Sequence, residues 1–173
     1  MLFRSLETNN LLLQPLSAAS ITAYQRLAQR MQAIRPDGWV AVYGSGCAGS
    51  NGVPRLRAQT MPNLGTDFFI QVANLPPSTP WAMTAVGLSN QFAGTLPLPA
   101  SLAGIGMPNC MLLASPDAIL IHETMNGFGV LRVPNIAAFE GANLYMQSFL
   151  CDMATSASSI VGSQGMRCIV GRN

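Results

Sequence analysis

The sequence predicts an all-β protein, an antiparallel β-sandwich or jelly roll of about nine strands preceded by one N-terminal helix. Three observations carry this prediction. From Gly38 onward, short apolar runs alternate with turn residues. Gly and Pro, at 16 and 12 residues, are spread through the chain rather than gathered in one tract. No helical segments separate the strands, which argues against a parallel α/β sheet.

The predicted strands are short runs of apolar, β-branched and aromatic residues. They are Trp39–Tyr43, Leu56–Thr60, Asp67–Ala73, Trp81–Ser89, Met111–Ser115, Ile119–Glu123, Phe128–Val133, Leu144–Cys151 and Met166–Val170. The pair Asn126–Gly127 is a strong hairpin signal. The stretches 44–54 and 91–109 are predicted as long ordered loops, and the second is apolar enough to cover one end of the core.

The first residues differ in character from the rest of the chain. Residues 17–35 are predicted as an amphipathic helix that ends before Pro36, because proline disfavours helical geometry in the preceding residue. The apolar stripe of this helix consists of Ile21, Tyr24, Leu27, Met31 and Ile34. We therefore predict an N-terminal segment over 1–37, a remnant of an upstream region, and a β-sandwich domain over 38–173. Two interpretations of the helix stay open. It packs on the sandwich, or it is the end of an upstream domain or a helix that binds a partner.

Charge is scarce, at 9% of residues against roughly 25% in a typical soluble domain. The net charge of +2 is small and scattered, which argues against nucleic acid as a partner. Arg55 and Arg57 form the only tight basic pair in the β region, and we interpret them as solvated residues on one strand face. No apolar run reaches the roughly 18 residues that a membrane span needs.

The four cysteines are interpreted as disulfides. Cys47 and Cys110 lie in predicted turns, whereas Cys151 and Cys168 lie in predicted terminal strands. Pairing turn with turn and strand with strand gives Cys47–Cys110 and Cys151–Cys168. Zinc is less favoured because its sites use closely spaced Cys and His ligands, and these cysteines are far apart. Disulfides indicate an oxidising compartment, so we expect a secreted or cell-surface protein.

The beginning of the sequence lacks the pattern of a secretory signal. Such a signal has a basic start, an apolar stretch and a small-residue cleavage site. Here Arg4 is followed by Glu7 and only a short leucine run. We expect that the export signal is absent from this chain and that the chain is a metagenomic fragment of a longer gene.

A series of motifs resembles a secreted bacterial domain family. The segment Tyr43–Ser50 resembles the family's Tyr-Gly-x-Gly-Cys-x-Gly-Ser opening, and Gly106–Cys110 resembles its Gly-x-Pro-Gly-Cys, with Asn109 in place of Gly. Further matches are Gly65, Asn74–Pro77, Val86–Ser89, Leu96–Pro99 and Leu144–Gln147.

The resemblance covers residues 38–171 and implies a β-sandwich, often C-terminal in longer exported proteins. It also implies pairing of Cys47 with Cys110, and it implies no activity. Cys151 and Cys168 fall outside the pattern, so their pairing depends on strand placement alone.

No residue set predicts catalysis or a metal site. His122 and Glu123 are adjacent in one strand, so their side chains point to opposite faces. The aspartates do not form an Asp-x-Asp-x-Asp calcium cluster. The glycines of 44–49 have Gly-x-Gly-x-x-Gly spacing, but no helix follows them. We therefore predict a non-enzyme without a cofactor.

Four aromatic residues, Trp39, Trp81, Phe92 and Tyr145, are the candidate ligand platform. Exposed aromatic rings stack on sugars, although tryptophans more often pack in cores or at edges. We predict a non-catalytic structural or adhesion module of a larger secreted or surface bacterial protein. The alternative is an extracellular module that binds carbohydrate or another ligand. The expected partners are upstream domains of the same polypeptide and a glycan or cell-surface component.

Overall fold

The computed structural model describes residues 37–77, 79–123, 127–154 and 160–172. The chain divides into two compact units after Arg35, and the described residues belong to the second unit, Pro36–Asn173. The predicted helix over 17–35 lies outside the described residues, as does the rest of segment 1–36.

The described chain is an antiparallel all-β structure, as predicted. Its strands are β1 Trp39–Tyr43, β2 Arg55–Ala58, β3 Asp67–Ala73, β4 Trp81–Gly87, β5 Phe92–Ala93, β6 Leu96–Pro97, β7 Ala100–Ser101, β8 Met111–Leu112, β9 Ala118–Glu123, β10 Phe128–Arg132, β11 Asn143–Cys151, β12 Ile160–Gly162 and β13 Gly165–Ile169. All of the predicted strands are present. The stretch 91–109, predicted as a loop, instead holds β5, β6, β7 and a 3-10 helix at Ala103–Ile105.

Two main sheets form the sandwich. The larger has the order β1-β13-β11-β4-β9, with β12 also beside β11, and the smaller has the order β10-β3-β2. Two ribbons, β5–β6 and β7–β8, complete the described strands. Alternation along each strand sends one set of side chains inward, as β3 shows by burying Phe68, Ile70 and Val72. These residues join Met146 and Leu150 of β11 in one hydrophobic cluster.

A chain of polar groups crosses the inner face of the larger sheet. His122 Nε2 lies 3.1 Å from Thr84 Oγ1, which lies 2.7 Å from Ser148 Oγ. The backbone N–H of Ser148 donates to Ser163 Oγ at 3.0 Å. Because Thr84, Ser148 and Ser163 are fully buried, these hydrogen bonds offset the cost of removing their polar groups from water. His122 is thus a hydrogen-bonded strand residue on a core-facing position.

The strands before and after the predicted Asn126–Gly127 turn do not pair with each other. β9 pairs with β4, whereas β10 pairs with β3, so these consecutive strands belong to different sheets. Gly127 does adopt a left-handed φ of 66°, which such a turn signal predicts. The signal therefore predicted the conformation of Gly127 correctly but not the partner strands, because sheet pairing depends on long-range packing.

The predicted disulfide between Cys151 and Cys168 is wrong, because both are free cysteines. Their strands are antiparallel neighbours, but Cys151 pairs with Ile160 and Cys168 pairs with Leu144. The two cysteines are thus separated by about 23 Å along β11. In a hairpin, residues equidistant from the turn face each other, and these two are not equidistant. Disulfide formation needs Cα atoms within about 7 Å.

A bulge separates β12 from β13. Both pair with β11, but the register changes between Phe149↔Gly162 and Met146↔Met166. One extra residue therefore lies on the β12–β13 side, at Ser163 and Gln164. The bulge turns the backbone carbonyl of Ser163 toward β11, where it accepts a hydrogen bond from Gln147.

Candidate functional site

The outer face of the larger sheet, which points away from the smaller sheet, is the candidate site. Cross-strand pairing places Tyr145, Gln147 and Phe149 of β11 on this face, next to Gly87, Ala85 and Met83 of β4. A segment that we call the cover, residues 110–115, lies over the middle of the face. The cover leaves a flank exposed on each side.

A disulfide fixes the cover at its beginning. Cys47 is bonded to Cys110, with Cα atoms 4.9 Å apart, so this prediction is confirmed. The backbone N–H of Cys47 donates to the carbonyl of Gly162 at 2.9 Å, and the N–H of Gly162 contacts Cys47 Sγ at 2.9 Å. The disulfide therefore connects the cover to β12 as well as to the segment after β1.

Gln147 holds the underside of the cover. Its Oε1 accepts from the backbone N–H of Leu113 at 2.8 Å, and its Nε2 donates to the carbonyls of Met111 at 2.9 Å and Ser163 at 3.0 Å. The side chain is only 1% exposed. An amide suits this position because it has both an acceptor and two donors, which the two segments require.

The other end of the cover approaches β4 closely. A Cβ atom on Gly87 would lie 1.8 Å from the carbonyl oxygen of Ser115, so only glycine fits there. Asp117 then accepts hydrogen bonds from the Leu88 N–H at 2.8 Å and from Ser115 Oγ at 2.9 Å. These two hydrogen bonds complete the attachment of the cover.

Tyr43 joins the cover to β1. Its hydroxyl donates to the carbonyl of Leu113 at 2.7 Å, and its ring lies over Gly165, where a Cβ would be 2.5 Å from Tyr43 Cζ. The ring meets that of Tyr145 edge to face, with centroids 6.1 Å apart. Burial, together with the negative charges of the Tyr145 phenolate and the Cys168 thiolate at high pH, raises the pKa of Tyr43 far above its ordinary value.

One exposed flank is a polar–aromatic patch, which consists of Trp39, Asn143, Tyr145 and Arg167. Pairing of β1, β13 and β11 puts these residues in adjacent rows of the same face. Trp39 is 48% exposed. Arg167 is exposed, and its Nε donates to Asn143 Oδ1 at 2.9 Å. An exposed ring beside a fixed guanidinium–amide pair offers a stacking surface together with hydrogen-bond donors.

The opposite flank is an apolar patch, which consists of Trp81, Met83, Ile119, Ile121 and Phe149. Met83 pairs with both Ile121 and Phe149, so the side chains are neighbours across three strands. Ile121 is 68% exposed and Ile119 is 51% exposed. Large exposed apolar patches on folded domains generally mark contact surfaces.

The structure divides the predicted aromatic platform. Trp81 begins β4, whereas Tyr145 pairs with Gly87 at the end of β4, about 20 Å away along the strand. Phe92 lies on the β5–β6 ribbon, which follows the Gly87 end. Trp39 and Tyr145 share the polar–aromatic patch, and Trp81 belongs to the apolar patch. The four rings do not form one platform.

Two polar residues have structural roles that their local sequence does not predict. Gln147 lies in a strand of ordinary pattern, and Asp152 follows that strand. Asp152 is fully buried, where its carboxylate accepts from the Ser50 backbone N–H at 2.6 Å, Ser50 Oγ at 2.9 Å and the Ala154 N–H at 3.1 Å. It anchors the segment that contains Cys47, a role that depends on long-range contact.

No group of three or more His, Cys, Asp or Glu side chains in the described ranges is placed to hold a metal ion. Within the same ranges, no helix has the length and apolar character needed to cross a membrane. Comparisons with protein-family models, curated proteins and solved structures give no match. The family resemblance of the Tyr43–Ser50 segment thus stays a prediction.

Proposed function

We propose that this chain is a non-catalytic structural or adhesion module of a larger secreted or surface bacterial protein, and that it acts through the outer face of its larger sheet. The observation that carries the proposal is the exposure of the apolar patch beside a firmly attached cover. Ile119 and Ile121 are more than half exposed, while the adjacent Ala85 and Gln147 are 1% exposed. Such a surface is suited to contact with another macromolecule.

The disulfide supports the proposed compartment. Cys47–Cys110 closes a loop over a sequence separation of 63 residues, and bonds of this kind persist in oxidising environments outside the cytosol. The sparse charge supports contact by shape and apolar area rather than by electrostatic steering, because only 9% of residues are charged.

The adhesion proposal is tested with the full chain immobilised on a sensor surface. Purified bacterial cell-wall and outer-membrane fractions are passed over the wild type and over the double variant Ile119→Thr/Ile121→Thr. We expect binding by the wild type and at least about fivefold weaker binding by the variant, which corresponds to about 1 kcal/mol.

The matched control is Phe128→Thr/Val130→Thr on the smaller sheet. These residues are 43% and 44% exposed and point outward from β10. Equal loss of binding in both double variants, or no binding by the wild type, would overturn the proposal.

The polar–aromatic patch supports carbohydrate binding as a second candidate function. The supporting observation is that Trp39 is half exposed next to the Arg167–Asn143 hydrogen bond. A glycan array probed with the full chain tests this candidate. Binding that is lost in Trp39→Ala and Arg167→Gln but retained in Trp81→Ala is the expected result. Equal loss in Trp81→Ala, or no binding, would exclude this patch as the glycan site.

A further inference from the structure

The edge strands of the two sheets differ in charge. β2 and β10 form the edges of the smaller sheet, and they carry the exposed residues Arg55, Arg57 and Arg132. Charged side chains on an edge strand oppose its pairing with another chain. β9 forms one edge of the larger sheet, and its residues from Ala118 to His122 include no Lys, Arg, Asp, Glu or Pro. This edge therefore lacks the protection that the edges of the smaller sheet have.

The free edge of β9 is accessible along most of its length. Ile119 is 51% exposed and Ile121 is 68% exposed, and Ala118 is also exposed. Among the described strands, β9 pairs with β4 alone. Since backbone N–H and C=O groups along a strand point alternately to its two sides, β9 leaves a row of them directed away from β4. A second extended strand supplies the matching donors and acceptors.

The side chains of β9 are complementary to a second copy of the same strand. Directly opposite residues in an antiparallel pair lie on the same face of the sheet. A two-fold axis at Leu120 places Leu120 opposite its own equivalent, and it places Ile119 opposite Ile121 of the second copy. Both isoleucines lie on the outer face, because Ile121 pairs with Met83 of the apolar patch. The apolar patches of the two copies thus become neighbours across the axis.

Neighbouring registers are less favourable. A shift by two residues in one direction places Glu123 opposite Ile119, and a shift in the other direction places Asp117 opposite Ile121. The register centred on Leu120 instead pairs apolar with apolar residues at three successive positions. In that register Asp117 and Glu123 are opposite each other only at the ends, where Asp117 is exposed and solvent screens its charge. The hydrophobic pattern therefore selects one register.

We propose that two copies of this chain pair through β9, antiparallel and about a two-fold axis at Leu120, so that their larger sheets join into one. The net charge of +2 on 173 residues gives little repulsion between the copies. β9 has six residues, against about 20–30 residues on each side of a stable interface. The dimer is therefore weak, with Kd on the order of 100 µM.

The two-fold contact closes after two copies because both use the same edge. Pairing of β9 with β1, the other edge of the larger sheet, would leave a free edge at each end and continue without limit. The inference goes beyond the adhesion proposal, since it concerns the backbone edge of β9 and needs no second kind of macromolecule.

Analytical ultracentrifugation of the full chain alone, from about 5 to 500 µM, tests the dimer around the expected Kd. We expect the weight-average mass to rise from 18.3 kDa toward twice that value. Ile119→Lys places a charge against Ile121 of the second copy and should weaken the dimer at least about tenfold. The matched control is Val42→Lys on β1, 60% exposed at the opposite edge of the larger sheet, which should leave the dimer unchanged. Circular dichroism verifies that both variants fold.

Cysteine cross-linking in a Cys151→Ser background tests the register. Opposite Cα atoms lie about 4.5–5.5 Å apart, so Leu120→Cys should form a disulfide-linked dimer under a mild oxidant. Ile119→Cys is the control, because its two copies are diagonal neighbours about 7–8 Å apart and should cross-link poorly. If Leu120→Cys does not fold, mixed Ile119→Cys and Ile121→Cys chains give the same test.

Four outcomes would each overturn the proposal. They are a constant mass of 18.3 kDa over the whole concentration range, species that grow beyond the dimer, equal weakening by Val42→Lys, and equal cross-linking at positions 119 and 120. These measurements use the pure chain, so their failure is distinct from a failure to bind cell-wall fractions.

Discussion

The covered and uncovered parts of the outer face differ in an unexpected way: a polar side chain is buried in the covered part, and apolar side chains are exposed in the uncovered part. Under the cover, Gln147 is 1% exposed, whereas Ile121 on the adjacent flank is 68% exposed. The cover brings backbone groups of Met111 and Leu113 onto the sheet, and these groups need a polar partner when buried. Burial on this face is thus determined by where the cover lies. The apolar flank beside the cover is left exposed to solvent.

The largest expected effect comes from detaching the cover. Replacing both Cys47 and Cys110 by serine removes a cross-link over a separation of 63 residues, which the chain-entropy relation values at about 4 kcal/mol. We expect urea unfolding to show a loss of this size. Cys151→Ser is the control and should change little, since Cys151 is a free cysteine. A small loss in the double variant would show that the cover is held mainly by its hydrogen bonds.

An intermediate effect on the free energy of unfolding is expected when a polar residue under the cover is made apolar. The matching change makes an apolar residue on the uncovered flank polar. Gln147→Leu leaves the Leu113 N–H and the carbonyls of Met111 and Ser163 without their partner. We expect a loss of about 3 kcal/mol in the free energy of unfolding. The reverse exchange on the uncovered flank, Ile121→Thr, should change it by less than about 0.5 kcal/mol. Comparable losses in both variants would contradict the division of the face.

The smallest effect is a pH dependence within the covered part. Burial raises the pKa of Cys168 to about 12 and also raises that of Tyr43. In each case the unfolded chain loses its proton at lower pH than the folded chain does. The contribution of Cys168 to stability is therefore full below about pH 9 and decreases as pH rises, at about 1.4 kcal/mol per unit. The contribution of Tyr43 decreases only above about pH 10, and it is smaller because solvent screens this partly exposed side chain.

Unfolding by urea between pH 8 and 11 measures this slope. Cys168→Ala should reduce the decrease that begins near pH 9, and Tyr43→Phe should reduce the part that begins near pH 10. Tyr145, whose partly buried ring packs against that of Tyr43, gives the matched control Tyr145→Phe. A wild-type free energy that stays constant up to pH 10 would contradict the prediction.

The sequence predicts the strands well because their signals are local. β1 and β3 have the predicted bounds, and alternation along β3 correctly identifies Phe68, Ile70 and Val72 as core residues. The short strands β5, β6 and β7 were not predicted, since a strand of two residues is too short to show an alternating pattern. The helix over 17–35 and the domain boundary stay predictions.

The candidate site is less predictable because it depends on register. Trp39 and Tyr145 share a patch, but Trp81 lies at the far end of β4 and Phe92 lies on a separate ribbon. All four are aromatic, and nothing in their local sequence distinguishes these positions. Gln147 is likewise indistinguishable from a surface residue until the cover is placed over it.

The cysteines show which features the sequence predicts and which depend on the tertiary structure. By itself, the sequence determined an antiparallel β fold and the turn positions of Cys47 and Cys110, because apolar alternation and turn residues act over a few positions. Only the tertiary structure decided that Cys168 pairs with Leu144 and not with Cys151. The physical reason is that register and sheet packing are determined by contacts between residues distant in the chain.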